Sequence, residues 1–302
     1  MRAYLQLARA PNLFTAASNV VAGFTLMAAV DDAQFDRIHW DRLLVLALIS
    51  VALYASGSIF NDCLDVEHDR RFRPERPIPS GEVSLGRAYL LGLLLAFGAL
   101  GASMFLGPNS VLVTGMLITA IWLYNGVMKR FMIPGALSMG LCRSLNMVLG
   151  MSTGASMGAL VAPGSRELLL APAFLGAYTV IVTAASHYED KPAGGAGRWV
   201  LFGAAAGIPV VLTGVAVAVV DGWFSWLLIL GMIVGSAALF IVTLTKVSFE
   251  AVRRAIGLSI VMMIVLDAAI ILGVRNAPIW LGLVVLATVL PTWLMSRVLS
   301  PS

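Results

Sequence analysis

Runs of about twenty apolar residues recur along this chain, and such runs leave few folds open. An α-helix rising 1.5 Å per residue needs about 20 residues to cross a hydrocarbon layer roughly 30 Å thick. By that ruler, spans fall near 11–30, 42–60, 86–106, 109–126, 132–152, 168–186, 199–220, 223–245, 255–273 and 277–297. That makes nine or ten membrane helices, because Pro278 and Pro291 turn the last segment into either a kinked span or an interfacial helix. With 59% apolar and 12% charged residues and a mean hydropathy of +0.91, a soluble globular enzyme is excluded. The expected fold is an all-α integral membrane protein, one domain over residues 1–302, built as a helical bundle. The first apolar segment follows Arg2 and Arg9 without a small-residue cleavage site, so it is expected to be retained.

Charge narrows the function. A net charge of +4 without a basic tail gives no grip for nucleic acid, and two distant cysteines, Cys63 and Cys142, suit neither a disulfide framework nor a zinc site. Placing the N-terminus in the cytoplasm puts fifteen Lys and Arg side chains inside and four outside (Arg37, Arg42, Arg166 and Arg275), with Arg143 within a span. The polar connections near 61–85, 127–131, 187–198 and 246–254 then share the cytoplasmic side, which in a bacterium is that of the inner membrane. This asymmetry predicts chemistry at the cytoplasmic mouth of the bundle; its plainer meaning is that it only sets topology.

The first of these connections, Asn61 to Gly81, reads NDCLDVEHDRRFRPERPIPSG. Asp62, Asp65 and Asp69 are spaced three and four apart, so a helix continuing past the membrane edge would stack them on one face. Three like charges in a stripe are costly unless a cation sits there, and carboxylate oxygens are what Mg²⁺ takes when it bridges to phosphate. Arg70, Arg71, Arg73 and Arg76 follow, on a turn that Pro74, Pro77 and Pro79 hold extended, and guanidinium forks suit phosphate. An acidic stripe followed by an arginine turn matches a diphosphate ester; a merely solvated, mixed-charge helix end is the bland alternative. Arg143 would cost about 2.5–3.5 kcal/mol facing lipid. It is expected to face the interior, either towards an anion or in a salt bridge with Asp267.

The run N-D-x-x-D-x-x-x-D followed by R-P-x-R-P-I-P-S-G closely resembles the first signature of the UbiA superfamily of intramembrane prenyltransferases. Arg9-Ala10-Pro11-Asn12 resembles the family's R-x-P-N entry to the first helix, with Asn12 lining the cavity. Tyr124 and Lys129 in LYNGVMKR resemble its Tyr and Lys at the end of the fourth helix, near the diphosphate, and Arg143 and Asn146 in CRSLNMVLG resemble its R-x-x-N on the fifth. The second acidic signature is depleted: Ser186-His187-Tyr188-Glu189-Asp190 keeps Asp190, while His187 stands where the first acid is expected and Gly194 where the third is. This H-Y-E-D variant, with the V-L-D-A-A run at Val265 to Ala269, is similar to UbiA-like EboC proteins.

The resemblance implies Mg²⁺-dependent transfer of a prenyl group from a polyprenyl diphosphate to an aromatic or other small hydrophobic acceptor. It implies Asn61, Asp62, Asp65, Asp69, Glu189 and Asp190 as metal ligands, with the four aspartates central to catalysis. Asn12, Arg73, Arg76, Tyr124, Lys129, Arg143, Asn146, His187 and Arg198 are the implied substrate contacts. Two other classes stand beside it, a non-catalytic lipid-diphosphate-binding scaffold and a transporter. A transporter would place its polar residues near the midplane on broken, repeated helices.

Overall fold

The computed structural model describes residues 1–30, 39–153, 166–188, 195–246 and 248–299. Among them there are helices and turns but no strands, as hydrocarbon demands of a chain whose backbone groups must bond within each segment. After a short α1 (Arg2–Leu7) and a 3₁₀ turn (Ala10–Asn12) come α2 (Leu13–Val30), α3 (Trp40–Leu64), α4 (Val66–Phe72), α5 (Leu85–Ser103), α6 (Pro108–Gly126) and α7 (Met132–Met151). Then follow α8 (Leu170–Ser186), α9 (Gly195–Ala218), α10 (Trp223–Lys246), α11 (Phe249–Gly273), α12 (Ile279–Ala287) and α13 (Val289–Leu299). Eight stretches of the described residues are long and apolar enough to cross a bilayer, and α8 is a shorter apolar helix. The protein is an integral, multi-pass membrane protein.

The spans read from the sequence coincide with these helices to within a few residues at most ends. At the C-terminus the break falls at Thr288, between α12 and α13, and Ile279–Leu299 together is long enough to span. Pro291 lies in the first turn of α13, where its missing N–H costs nothing.

Helix α2 is central: it packs on α3, α7 and α11, while α7 also packs on α6 and α8, α9 on α8 and α10, and α10 on α11. Lipid supplies no hydrophobic drive between helices, so close backbone approach must do more of the work. Two seams show it. A Cβ at Gly150 of α7 would run into the carbonyl oxygen of Val20 on α2, and one at Gly176 of α8 into the hydroxyl of Ser144 on α7. Leu44, Leu48, Leu90, Leu94 and Phe97 face outward, the inverse of a soluble protein and the expected lipid contact.

These packings leave a cavity of about 290 Å³ between α2, α3, α6, α7, α8 and α11. Its lining reaches the last turns of α3 at Asn61, of α6 at Tyr124 and Asn125 and of α8 at Ser186, and that end is termed the mouth. There the segment after α4 folds back: Ile78 and Val83 are buried with Ala3 and Leu7 of α1 and Ile59, Cys63 and Val66. Backbone bonds from Ser80 N–H to the Arg76 carbonyl and Val83 N–H to the Pro77 carbonyl close its turns. The proline-rich run thereby becomes a fixed brace.

Candidate active site

Helix α3 delivers Asn61 and Asp62 to the mouth on its last turn. The helix breaks at Asp65 (φ −92°, ψ 6°), yet the N–H of Asp65 still bonds the Asn61 carbonyl and that of Asp69 the Asp65 carbonyl. The acidic stripe therefore persists across the break, with a division of partners. Asp62 and Asp69, both buried, share Arg76, whose Nη1 donates to Asp69 Oδ2 at 2.8 Å and Asp62 Oδ1 at 3.3 Å. Asp65 instead meets Lys129 Nζ at 2.7 Å, which also donates to Asn61 Oδ1 at 3.1 Å. The three carboxylates thus do not converge as a continuous helix would make them, and among the described residues no three acidic, His or Cys side chains gather round one point.

A third cation enters from a direction the sequence reading did not assign. Arg9 Nη2 lies 3.6 Å from Asp62 Oδ1, and its backbone is left-handed (φ 48°, ψ 53°). A residue with a Cβ pays roughly 1–2 kcal/mol for that conformation. The turn that Pro11 stiffens holds it there, with Asn12 N–H bonded to the Arg9 carbonyl at 2.8 Å. The R-x-P-N motif carries the signal for Arg9 as well as for Asn12. Both Arg9 and Asn12 line the cavity.

Deeper in, the walls carry a second polar group. Arg143 lies eleven residues past Met132, roughly 16 Å along the α7 axis. It is 8% exposed and faces the interior, as its insertion cost requires. It donates to Asn19 Oδ1 and Thr15 Oγ1, each at 3.1 Å, with its guanidinium carbon 5.2 Å from the Tyr54 ring centroid. The direct salt bridge to Asp267 is not formed: Asn19 stands between, its amide donating to Asp267 Oδ2 at 2.7 Å. Asn146 donates to the Ala16 carbonyl at 2.8 Å and accepts from Ser50 at 2.7 Å, tying α7 to α2 and α3 at the cavity wall. Tyr124 and Asn125 of α6 also line the cavity, and Asn125 holds α3 by donating to the Gly57 carbonyl at 3.2 Å.

Ser186, the last residue of α8, lines the cavity, and His187 caps that helix with its ring 5.7 Å from the Tyr188 ring. Arg198, in the first turn of α9, is exposed, and Arg73 is half-buried at the end of α4. Glu189, Asp190 and Gly194 lie outside the described residues. The structure therefore brings together Asn12, Asn61, Asp62, Asp65, Asp69, Arg76, Tyr124, Lys129, Arg143 and Asn146 around one cavity and its rim. Of these, Asp62, Asp65, Asp69, Arg76 and Lys129 do not line the cavity but adjoin it through Arg9 and Asn61; His187 and Arg198 are not in the lining either.

Apolar side chains complete the cavity: Leu53, Leu117, Ile121, Val182, Ile260 and Met263. An ionic rim above an apolar shaft suits a ligand with a charged head and a greasy tail.

Comparison with known proteins agrees with this architecture. The model of the UbiA prenyltransferase family matches residues 20–246, and the chain belongs to that family. It is 32% identical over 151 residues to the digeranylgeranylglyceryl phosphate synthase of Ignicoccus hospitalis, a match covering 50% of this chain and 46% of that protein. The enzyme of the same name from Sulfurisphaera tokodaii is 27% identical over 154 residues, covering 50% and 52%. The chain thus spans about half the length of the curated relatives it matches. Among solved structures, a UbiA homolog from Archaeoglobus fulgidus bound to DMAPP and Mg²⁺ superposes with a TM-score of 0.61 at 17% identity, covering 94% of this chain and 99% of that one. One from Aeropyrum pernix K1 gives 0.60 at 15%, covering 84% and 97%. At those identities the likeness is one of fold.

Proposed function

We propose that this protein transfers a prenyl group from a polyprenyl diphosphate to a hydrophobic acceptor inside the membrane, with Mg²⁺ as cofactor. The observation that carries the reading is a cavity with many apolar wall residues whose lining includes Arg9 and Asn61, which contact Asp62 and Lys129 of an acid-and-cation cluster at its end. Hard oxygen donors at Asn61, Asp62, Asp65 and Asp69 fit Mg²⁺. This ion is held by one or two carboxylates plus substrate phosphates, so a three-carboxylate cage is not required. When bound, Mg²⁺ supplies charge neutralisation that makes pyrophosphate a tolerable leaving group.

The chain's own residues do the rest. Arg9, Arg76 and Lys129 hold the carboxylates of the rim, and each is placed to turn towards phosphate oxygens as charge develops on them. As the allylic C–O bond breaks, its electron pair leaves with pyrophosphate. The apolar walls exclude water, so the acceptor forms the new bond and sheds its proton. Asp190 and Glu189 are assigned as further metal ligands and His187, Arg73 and Arg198 as further substrate contacts on the strength of the family resemblance. The rim faces the cytoplasm, by the charge asymmetry of the loops.

The acceptor is a hydrophobic molecule. The name of the relatives, digeranylgeranylglyceryl phosphate synthase, points to a glyceryl phosphate lipid, and aromatic acceptors are the alternative class. Purified protein in lipid nanodiscs, given labelled geranyl diphosphate, Mg²⁺ and either a membrane-lipid extract or an aromatic panel, should form a labelled, organic-extractable product. Release of pyrophosphate without a prenylated product would replace transfer by hydrolysis or elimination, and no turnover with any acceptor would remove the transferase reading and leave that of a binding scaffold.

A further inference from the structure

Asp267 is the least expected side chain in the bundle. It lies within α11, is fully buried, and has no place in the reaction described above. It falls in step with Ile256, Ile260 and Met263, the residues of α11 that line the cavity, but it is not itself part of the lining. Both of its hydrogen bonds converge on one oxygen: Ser18 Oγ donates to Oδ2 at 2.6 Å and Asn19 Nδ2 at 2.7 Å, while Oδ1 has no partner.

Oδ2, which takes both donors, can only accept, because a proton on this carboxyl would sit on the unpartnered Oδ1. Facing it, Asn19 must present its NH₂, and its carbonyl is thereby turned the other way, onto Arg143 Nη1 at 3.1 Å. An amide rotated by 180° would set NH₂ against the guanidinium, donor against donor. Thr15 fixes the other arm of Arg143 at 3.1 Å, and Thr15 in turn donates to the Asn12 carbonyl at 2.7 Å. From these contacts we infer that Asp267 is a positioning residue: through Asn19 it dictates the direction in which the Arg143 guanidinium is held in the cavity wall. The relay runs α11 to α2 to α7, so it also ties that orientation to the packing of three helices. This inference rests on the prenyl-transfer reading and adds a residue to that site.

An oxygen that only accepts, facing Asn19 and Ser18, is the feature that matters, which makes the isosteric change informative. Asp267→Asn offers an amide that can face Asn19 either way, so the relay loses its direction while volume is kept. With labelled geranyl diphosphate, Mg²⁺ and lipid extract, Asp267→Asn should lower turnover by about tenfold in the presence of Arg143. In an Arg143→Met background it should change turnover by less than twofold. Moving the carboxylate one place along the relay, with Asn19→Asp and Asp267→Asn together, again leaves Arg143 facing an acceptor, and turnover should return to within about threefold of wild type. The melting temperature of each variant is measured in parallel, and the swap keeps the test decisive where the single variant folds poorly. Unchanged turnover in Asp267→Asn, equal losses with and without Arg143, or no recovery in the swap would each overturn the relay. Failure of wild type itself to turn over would count against the transferase reading instead.

Discussion

Arg76 is where a single substitution should report on both stability and chemistry. It makes two charge-assisted bonds, at 2.8 Å to Asp69 and 3.3 Å to Asp62, and braces the returning loop to the end of α3. Bonds to charged groups each contribute about 1.5–3 kcal/mol. The Arg76 side chain is 21% exposed, so solvent screening brings the pair towards the lower end, about 3 kcal/mol in all. In Arg76→Met, Asp69 keeps His68 at 3.9 Å and Asp62 keeps Arg9 at 3.6 Å, neither as close as the bond that is lost. Reversible unfolding in mixed detergent micelles should therefore show a loss of about 3 kcal/mol without diphosphate. Mg²⁺ added alone should stabilise the variant more than wild type, because the freed carboxylates become available oxygen donors. Turnover should fall by about 10²-fold even where the variant is fully folded, the usual cost of removing one donor aimed at developing charge. A variant within about 0.5 kcal/mol of wild type and equally responsive to Mg²⁺ would refute the reasoning, since a surface change of no structural consequence behaves that way.

Other outcomes follow from the same structure. Lys129→Met removes the bonds to Asp65 and Asn61 and should reduce turnover by about 10²-fold, measured with labelled geranyl diphosphate at saturating Mg²⁺. Gly150→Val should force α2 and α7 apart at the Val20 carbonyl and cost about 3 kcal/mol or more, read as a lower unfolding midpoint and loss of geranyl diphosphate binding. A cysteine at Glu82, in a background lacking Cys63 and Cys142, should react with a membrane-impermeant thiol reagent only after the cytoplasmic side is opened; labelling of intact cells would invert the orientation.

The sequence showed the spans because lipid leaves no other use for twenty apolar residues in a row. It did not show which polar residues meet, since that depends on how helices far apart in the chain rotate about their axes. Asp62, Asp65 and Asp69 read as one stripe, yet Lys129 draws Asp65 aside at the break between α3 and α4. Arg143 and Asp267 read as a candidate pair, but Asn19 was unremarkable within an apolar run and proved to be the link. Arg9 was visible in its motif, while its left-handed backbone was not, because that conformation carries no residue-type signature for arginine.

The central claim is that a diphosphate and Mg²⁺ are held together at the end of α3. It is tested most directly by measuring labelled geranyl diphosphate binding and turnover for wild type, Asp62→Asn and Asp65→Asn, with Mg²⁺ and with excess chelator. The account predicts that chelator abolishes wild-type turnover and that both variants stay folded and inserted but inactive at any Mg²⁺ concentration. Full turnover in excess chelator, or wild-type rates in both variants, would contradict it.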